Sequence, residues 1–187
     1  MIKILLIVAL LCTRCMPAFA KVPQPKKCIY RNVYNTFSKR DVAVIHNAVD
    51  FIKDKEGFTP VLIPDFNKKI YIIGYGDHTC KKRYKSVANI TQWQAEECLV
   101  ETTTKIYVKL KQSLPNLRNN QYAALISLVF TVGFDDFYKS RTYRLVKNKA
   151  SKRMAIKAEW LDFNRVNGKR LCGLTSRRLA EYELFSF

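Results

Sequence analysis

The chain is expected to fold as a mostly helical α+β protein with one small β-hairpin, and three observations carry that expectation. Apolar residues recur at helical spacing through several stretches. Capping residues precede them: Ser38, Thr91, Ser140, Ser151 and Thr175. One pair of short β-branched and aromatic runs, "FTPVLI" and "KIYIIGYG", is separated by "PDFNK". At 187 residues, with 48% hydrophobic and 26% charged content, the chain is long enough to bury a core in a single domain.

In chain order, the first segment is "MIKILLIVALLCTRCMPAFA". Lys3, the apolar run Ile4 to Leu11 and the small residues Ala18 and Ala20 around Phe19 form a secretory signal-peptide pattern, residues 1–20. The run falls short of the ~20 apolar residues that span a bilayer. Cleavage after Ala20 leaves no stable membrane insertion; a signal-anchored form released later is the alternative. Cys12 and Cys15 leave with this segment, so their C-x-x-C spacing carries no function. Residues 21–37, with two prolines and little periodicity, are expected to form an N-terminal arm.

Ser38 with Asp41 supplies a cap for a helix whose apolar stripe is Val42, Ile45, Val49 and Ile52, stopped by Gly57. Glu56 then occupies the last turn, where an acid opposes the helix dipole and its protonated form is favoured. A general acid needs that bias; an exposed glutamate on a fraying end is the plainer alternative. The hairpin follows, with Pro64-Asp65 expected at its turn. Thr91-Gln-Trp-Gln94 is a capping box opening a helix to about residue 112. "NNQYAALISLVFTVG" is a strongly apolar helix ended by Gly133, and three shorter helical patterns complete the chain.

The net charge of +18 falls to +16 once Lys3 and Arg14 leave with the leader, which contains no acid. A positive surface attracts nucleic acid, anionic membranes or an anionic cell-wall polymer. The basic residues are scattered, no nucleic-acid-binding motif is present, and export argues against nucleic acid. His46 and His78 lack metal-ligand spacing, and Gly74-Tyr-Gly76 lacks the third glycine of a dinucleotide fingerprint. Neither a metal nor a cofactor is expected. Asn89-Ile-Thr91 is an N-glycosylation triplet, relevant only in a eukaryotic source.

Several stretches taken in order resemble the phage-type lysozymes, the endolysin group of glycoside hydrolase family 24. They are Glu56-Gly57, Asp65 nine residues on, Ile73-Gly-Tyr-Gly76 with His78-Thr79, "ITQWQAEECL", "NNQYAALISLVFTVG" and "GLTSRRLAEYELF". The resemblance runs over about residues 40–187. It implies a two-lobed, lysozyme-like fold. A small hairpin lobe (about 38–90) and a helical lobe (about 113–187) are joined by a long helix (about 91–112).

It also implies hydrolysis of the bond between N-acetylmuramic acid and N-acetylglucosamine in peptidoglycan. Glu56 would be the general acid and Asp65 the carboxylate on the opposite side of the sugar. An inverting reaction of this kind needs the two carboxyls about 6.5–9.5 Å apart. Arg177 falls where the family places an arginine near the catalytic glutamate. Tyr75, His78, Phe130 and Thr131 fall along the implied sugar cleft. The implied partners are peptidoglycan and the anionic cell-wall surface, met by a monomer.

Three positions depart from the family pattern, one of them Asp77, an extra residue before His78. The family's threonine two residues before Gly-Tyr-Gly is Ile72 here, or Tyr71 when counted forward from Asp65. Thr131 stands where an amide is common. A lysozyme-like protein that binds peptidoglycan without cutting it, or a cationic protein acting on membranes, are the alternatives. The four cysteines left after cleavage imply two disulfides with three possible connectivities. The favoured pairing joins the chain neighbours Cys80 and Cys98 and leaves Cys28 with Cys172.

Overall fold

The computed structural model describes residues 30–65, 70–148 and 153–187. The leader, residues 21–29 with Cys28, the hairpin tip and Ser151 lie outside them.

The first long helix forms as its signals require. It is preceded by a short helix, α1 (Arg31–Thr36), and is itself α2 (Lys39–Glu56). The Ser38 hydroxyl accepts the Asp41 N–H at 3.2 Å, and Gly57, at φ 67°, ends the helix with its N–H on the Lys53 carbonyl. The stripe Val42, Ile45, Val49 and Ile52 is buried. Each such aliphatic side chain contributes roughly 1.5–3 kcal/mol when fully buried.

Within the expected arm, residues Arg31–Thr36 form the helix α1. Tyr30 is buried and stacks on the His46 ring of α2, with centroids 3.7 Å apart. Aromatic packing on a neighbouring helix, rather than local periodicity, holds this segment.

The hairpin is β1 (Thr59–Asp65) paired antiparallel with β2 (Ile70–Gly74). Pro64 and Asp65 are not its turn. They are the last residues of β1, registered against Tyr71 and Ile70, and the reversal falls after them. Gly74 has φ 69° because its backbone lies against the next long helix. A Cβ there would come within 3.0 Å of the Ala95 Cβ.

A short helix, α3 (His78–Arg83), follows, capped by the Asp77 carboxylate on the Thr79 N–H. Next comes α4 (Gln92–Ser113), which opens on the reciprocal Thr91/Gln94 capping box. At ~1.5 Å per residue its 22 residues reach about 33 Å, enough to link a hairpin lobe to a helical one.

The core centres on α5 (Asn119–Val132), whose residues 122–129 are all buried. It is apolar on every side because α2, α4 and the last helix pack around it. Three shorter helices follow: α6 (Phe134–Lys139), α7 (Arg141–Lys147) and α8 (Arg153–Leu161). Ser140 caps α7 through the Tyr143 N–H.

A second ribbon, β3 (Arg165–Val166) with β4 (Lys169–Arg170), turns at Asn167 and Gly168, both at positive φ. It adds to the single hairpin expected. The closing helix, α9 (Cys172–Ser186), begins before Thr175 instead of after it, and the Thr175 hydroxyl donates to the Leu171 carbonyl.

Cys80 on α3 and Cys98 on α4 are neighbours, but both are buried free thiols. The hydrogen bond between them, with burial, pushes the Cys80 thiol up. Cys172 is an exposed thiol. Its expected partner, Cys28, is outside the described residues. No described helix is long and apolar enough to cross a membrane.

Candidate active site

Glu56 owes its position to the way α2 stops. Gly57 turns the chain out of the helix, so the carboxyl of the last helical residue stands at the lip of a cleft of about 520 Å³. Lys55, Leu171, Gly173, Leu174, Ser176 and Arg177 line the same cleft. From the opposite side, α9 delivers Arg177, whose Nη1 donates to Glu56 Oε1 at 2.5 Å. This ion pair joins residues 121 positions apart, and the Glu56 side chain keeps 25% of its surface exposed. The expected neighbourhood of Glu56 and Arg177 is therefore present.

The Gly-Tyr-Gly turn also approaches Glu56. Gly76, at φ 75°, lies so near that an added Cβ would stand 3.6 Å from Glu56 Oε2. Tyr75 between the glycines is only 2% exposed. Its hydroxyl accepts from Gln92 Nε2, and its ring packs on Phe58.

Thr131 and Phe130 end α5, both half-buried. The Thr131 hydroxyl donates to the Leu128 carbonyl and accepts from Arg178 Nη2 at 2.9 Å, so it is engaged within the protein. Asp65 is placed as the last residue of β1, and His78 as the first of α3. Their side chains, and with them the carboxyl separation, lie outside what is described.

The register places the two candidates for the family threonine on opposite faces of the hairpin. Asp65 pairs with Ile70 and Ile63 with Ile72, whereas Tyr71 pairs with Pro64. Ile72 thus shares the face of the Asp65–Ile70 pair, because positions two apart on a strand lie on one side.

Behind Arg177 lies a group that sequence reasoning missed. Glu181 is fully buried. Its Oε1 accepts from Ser127 Oγ at 2.7 Å, Arg178 Nη2 at 3.0 Å and Arg177 Nε at 3.1 Å, and its Oε2 from Trp160 Nε1 at 3.3 Å. Burial pushes the Arg178 guanidinium down to about 10 even with Glu181 holding it up. The i, i+3 and i, i+4 spacing of an acid after two arginines in "RRLAE" was the available signal.

A larger cavity of about 620 Å³, walled by Leu114, Tyr182 and Phe185 among others, holds none of the expected site residues. Among the described residues no group of three His, Cys, Asp or Glu side chains stands close enough to hold a metal ion.

The phage lysozyme family model matches residues 53–181, from the end of α2 to the buried carboxylate of α9. An endolysin of Acyrthosiphon pisum secondary endosymbiont phage 1 is 38% identical over 120 residues, covering 62% of this chain and 79% of that protein. An endolysin of Bacillus phage PZA is 31% identical over 120 residues, 64% of this chain, although the match spans 45% of that protein. Among solved structures, a mutant P22 lysozyme superposes with a TM-score of 0.61 at 28% identity, covering 75% of this chain and 96% of its own. With the family matched over most of its length, the chain belongs to the phage lysozyme family.

Proposed function

We propose that the chain is an exported muramidase that hydrolyses the glycosidic bond between N-acetylmuramic acid and N-acetylglucosamine in bacterial peptidoglycan. Glu56 gives its proton to the departing glycosidic oxygen. Asp65 draws a proton from the water that attacks the anomeric carbon from the opposite face, with inversion. The supporting observation is the setting of Glu56. A carboxyl at the lip of a cleft is gripped by Arg177 from one lobe and flanked by the Gly76 backbone from the other, one strand away from Asp65.

Clearing of a bacterial cell-wall suspension tests this. Glu56→Gln, confirmed as folded by circular dichroism, should clear ~10²–10⁴-fold more slowly, the usual worth of positioned acid catalysis. Clearing at the wild-type rate would remove the proposal. Killing of cells that persisted in that variant would point to membrane action by charge.

A second reading, a binding protein with impaired hydrolysis, is favoured by Ile72 on the face of Asp65. Isoleucine has no hydroxyl with which to hold a water. Ile72→Thr should raise hydrolysis or leave it unchanged. A wild type that binds wall without releasing reducing sugar, coupled with a gain in Ile72→Thr, would establish a disabled enzyme.

A further inference from the structure

We infer that Glu181 is a positioning residue for Glu56, acting through Arg177, which it holds in place, and offsetting the charge of the two adjacent guanidiniums. The inference rests on the proposed role of Glu56 as general acid and adds the residue that fixes its arginine partner.

Geometry carries it. Arg177 spans the two acids, with Nη1 on Glu56 and Nε on Glu181 Oε1. Such a fork fixes both the place and the plane of the guanidinium. Glu181 is itself fixed from three helices: Ser127 on α5, Trp160 on α8 and its own neighbours on α9. A carboxylate with every oxygen bonded in a buried site does not move, so neither does the arm that reaches Glu56.

The same contacts form a charge set. The described charged groups facing the two acids are Arg177, Arg178 and Lys55. Lys55 borders the cleft and is paired with Asp54 at 2.8 Å. Two acids, Glu181 in the interior and Glu56 at the lip of the cleft, face two buried guanidiniums, and Arg178 has no carboxylate in contact other than Glu181 among the described residues. With Glu181 neutral, two buried positive charges would face the single carboxylate of Glu56 and oppose its protonation. With Arg178 removed, the excess would be negative and would favour it.

The two changes therefore displace the alkaline limb of the pH–activity profile, where a general acid loses its proton, in opposite directions. Hydrolysis of purified peptidoglycan by the full chain is measured against pH for wild type, Glu181→Gln, Arg178→Met and Glu56→Gln, each checked for folding by thermal melting. The limb should fall by about one pH unit in Glu181→Gln and rise by a similar amount in Arg178→Met. At neutral pH, Glu181→Gln should lower kcat with little change in KM.

Glu181→Gln sets an amide donor against the Trp160 N–H. If that variant fails to fold, the direction of the shift in Arg178→Met decides. A limb that stays in place while activity falls equally at all pH values would make Glu181 a merely structural residue and overturn the inference. Full activity in Glu56→Gln would instead sink the muramidase proposal itself, a result separable from the first.

Discussion

At the scale of single residues, Asp41 shows how one side chain serves both a local and a distant contact. Its backbone N–H is capped by Ser38, and its carboxylate accepts from Tyr107 and from Lys111 at 2.6 Å, tying the start of α2 to the last turns of α4. Burial works against the charge, but hydrogen bonds from Lys111, Tyr107 and Ser38 outweigh it and hold the carboxyl down to about 2. The folded value lies below the unfolded one, so the stabilisation is complete above pH ~4 and is lost as pH falls towards about 2. Asp41→Asn should cost about 1–2 kcal/mol at neutral pH. Thermal melts from pH 2 to 7 should show a stability gap that closes at the acid end. A gap equally wide at pH 2 and pH 7 would show that the charge is not what stabilises. Only the cap was legible in the sequence, since Ser38 and Asp41 are three residues apart. Tyr107 and Lys111 are 66 and 70 positions away, and no local pattern announces them.

At the scale of elements, the close approach of the hairpin to α4 depends on Gly74. A side chain there meets Ala95, Ile90 and Cys80 within 3.5 Å and must adopt φ 69°. Gly133 also has positive φ, at 84°, but nothing lies within 4 Å of an added Cβ. Gly74→Ala should therefore cost more than Gly133→Ala, roughly 2–4 kcal/mol against about 1 kcal/mol. Equal losses in denaturant unfolding would mean that backbone strain alone matters and that the hairpin is not packed as described.

Helices with strong ends were readable in advance, because a cap or stop is a short-range chemical signal: Ser38 and Gly57 for α2, Thr91 with Gln94 for α4, Gly133 for α5. The small ribbon was missed despite Asn167-Gly168, a pair suited to a tight hairpin turn. Its flanking strands are two residues each and basic, without the alternation that marks a half-buried strand. Pro64-Asp65 misled for the opposite reason. Turn-favouring residues sit at a strand end because an edge position tolerates proline.

At the scale of the whole molecule, the family pattern anticipated that Glu56 and Arg177 would be neighbours, because both lie in the motifs that carry the resemblance. The buried carboxylate behind them was less visible, since its partners come from three helices and only the fold assembles them. A net charge of +18, or +16 without the leader's Lys3 and Arg14, would draw such a chain to polyanionic cell wall, and the site proposed for it would act there. The most direct measurement is the identity of new reducing ends released from purified peptidoglycan, followed by mass spectrometry. Wild-type protein should generate reducing-end N-acetylmuramic acid, and folded Glu56→Gln should generate almost none. Release of a different reducing sugar, no release by folded wild type, or undiminished release by Glu56→Gln would contradict a muramidase that works through Glu56.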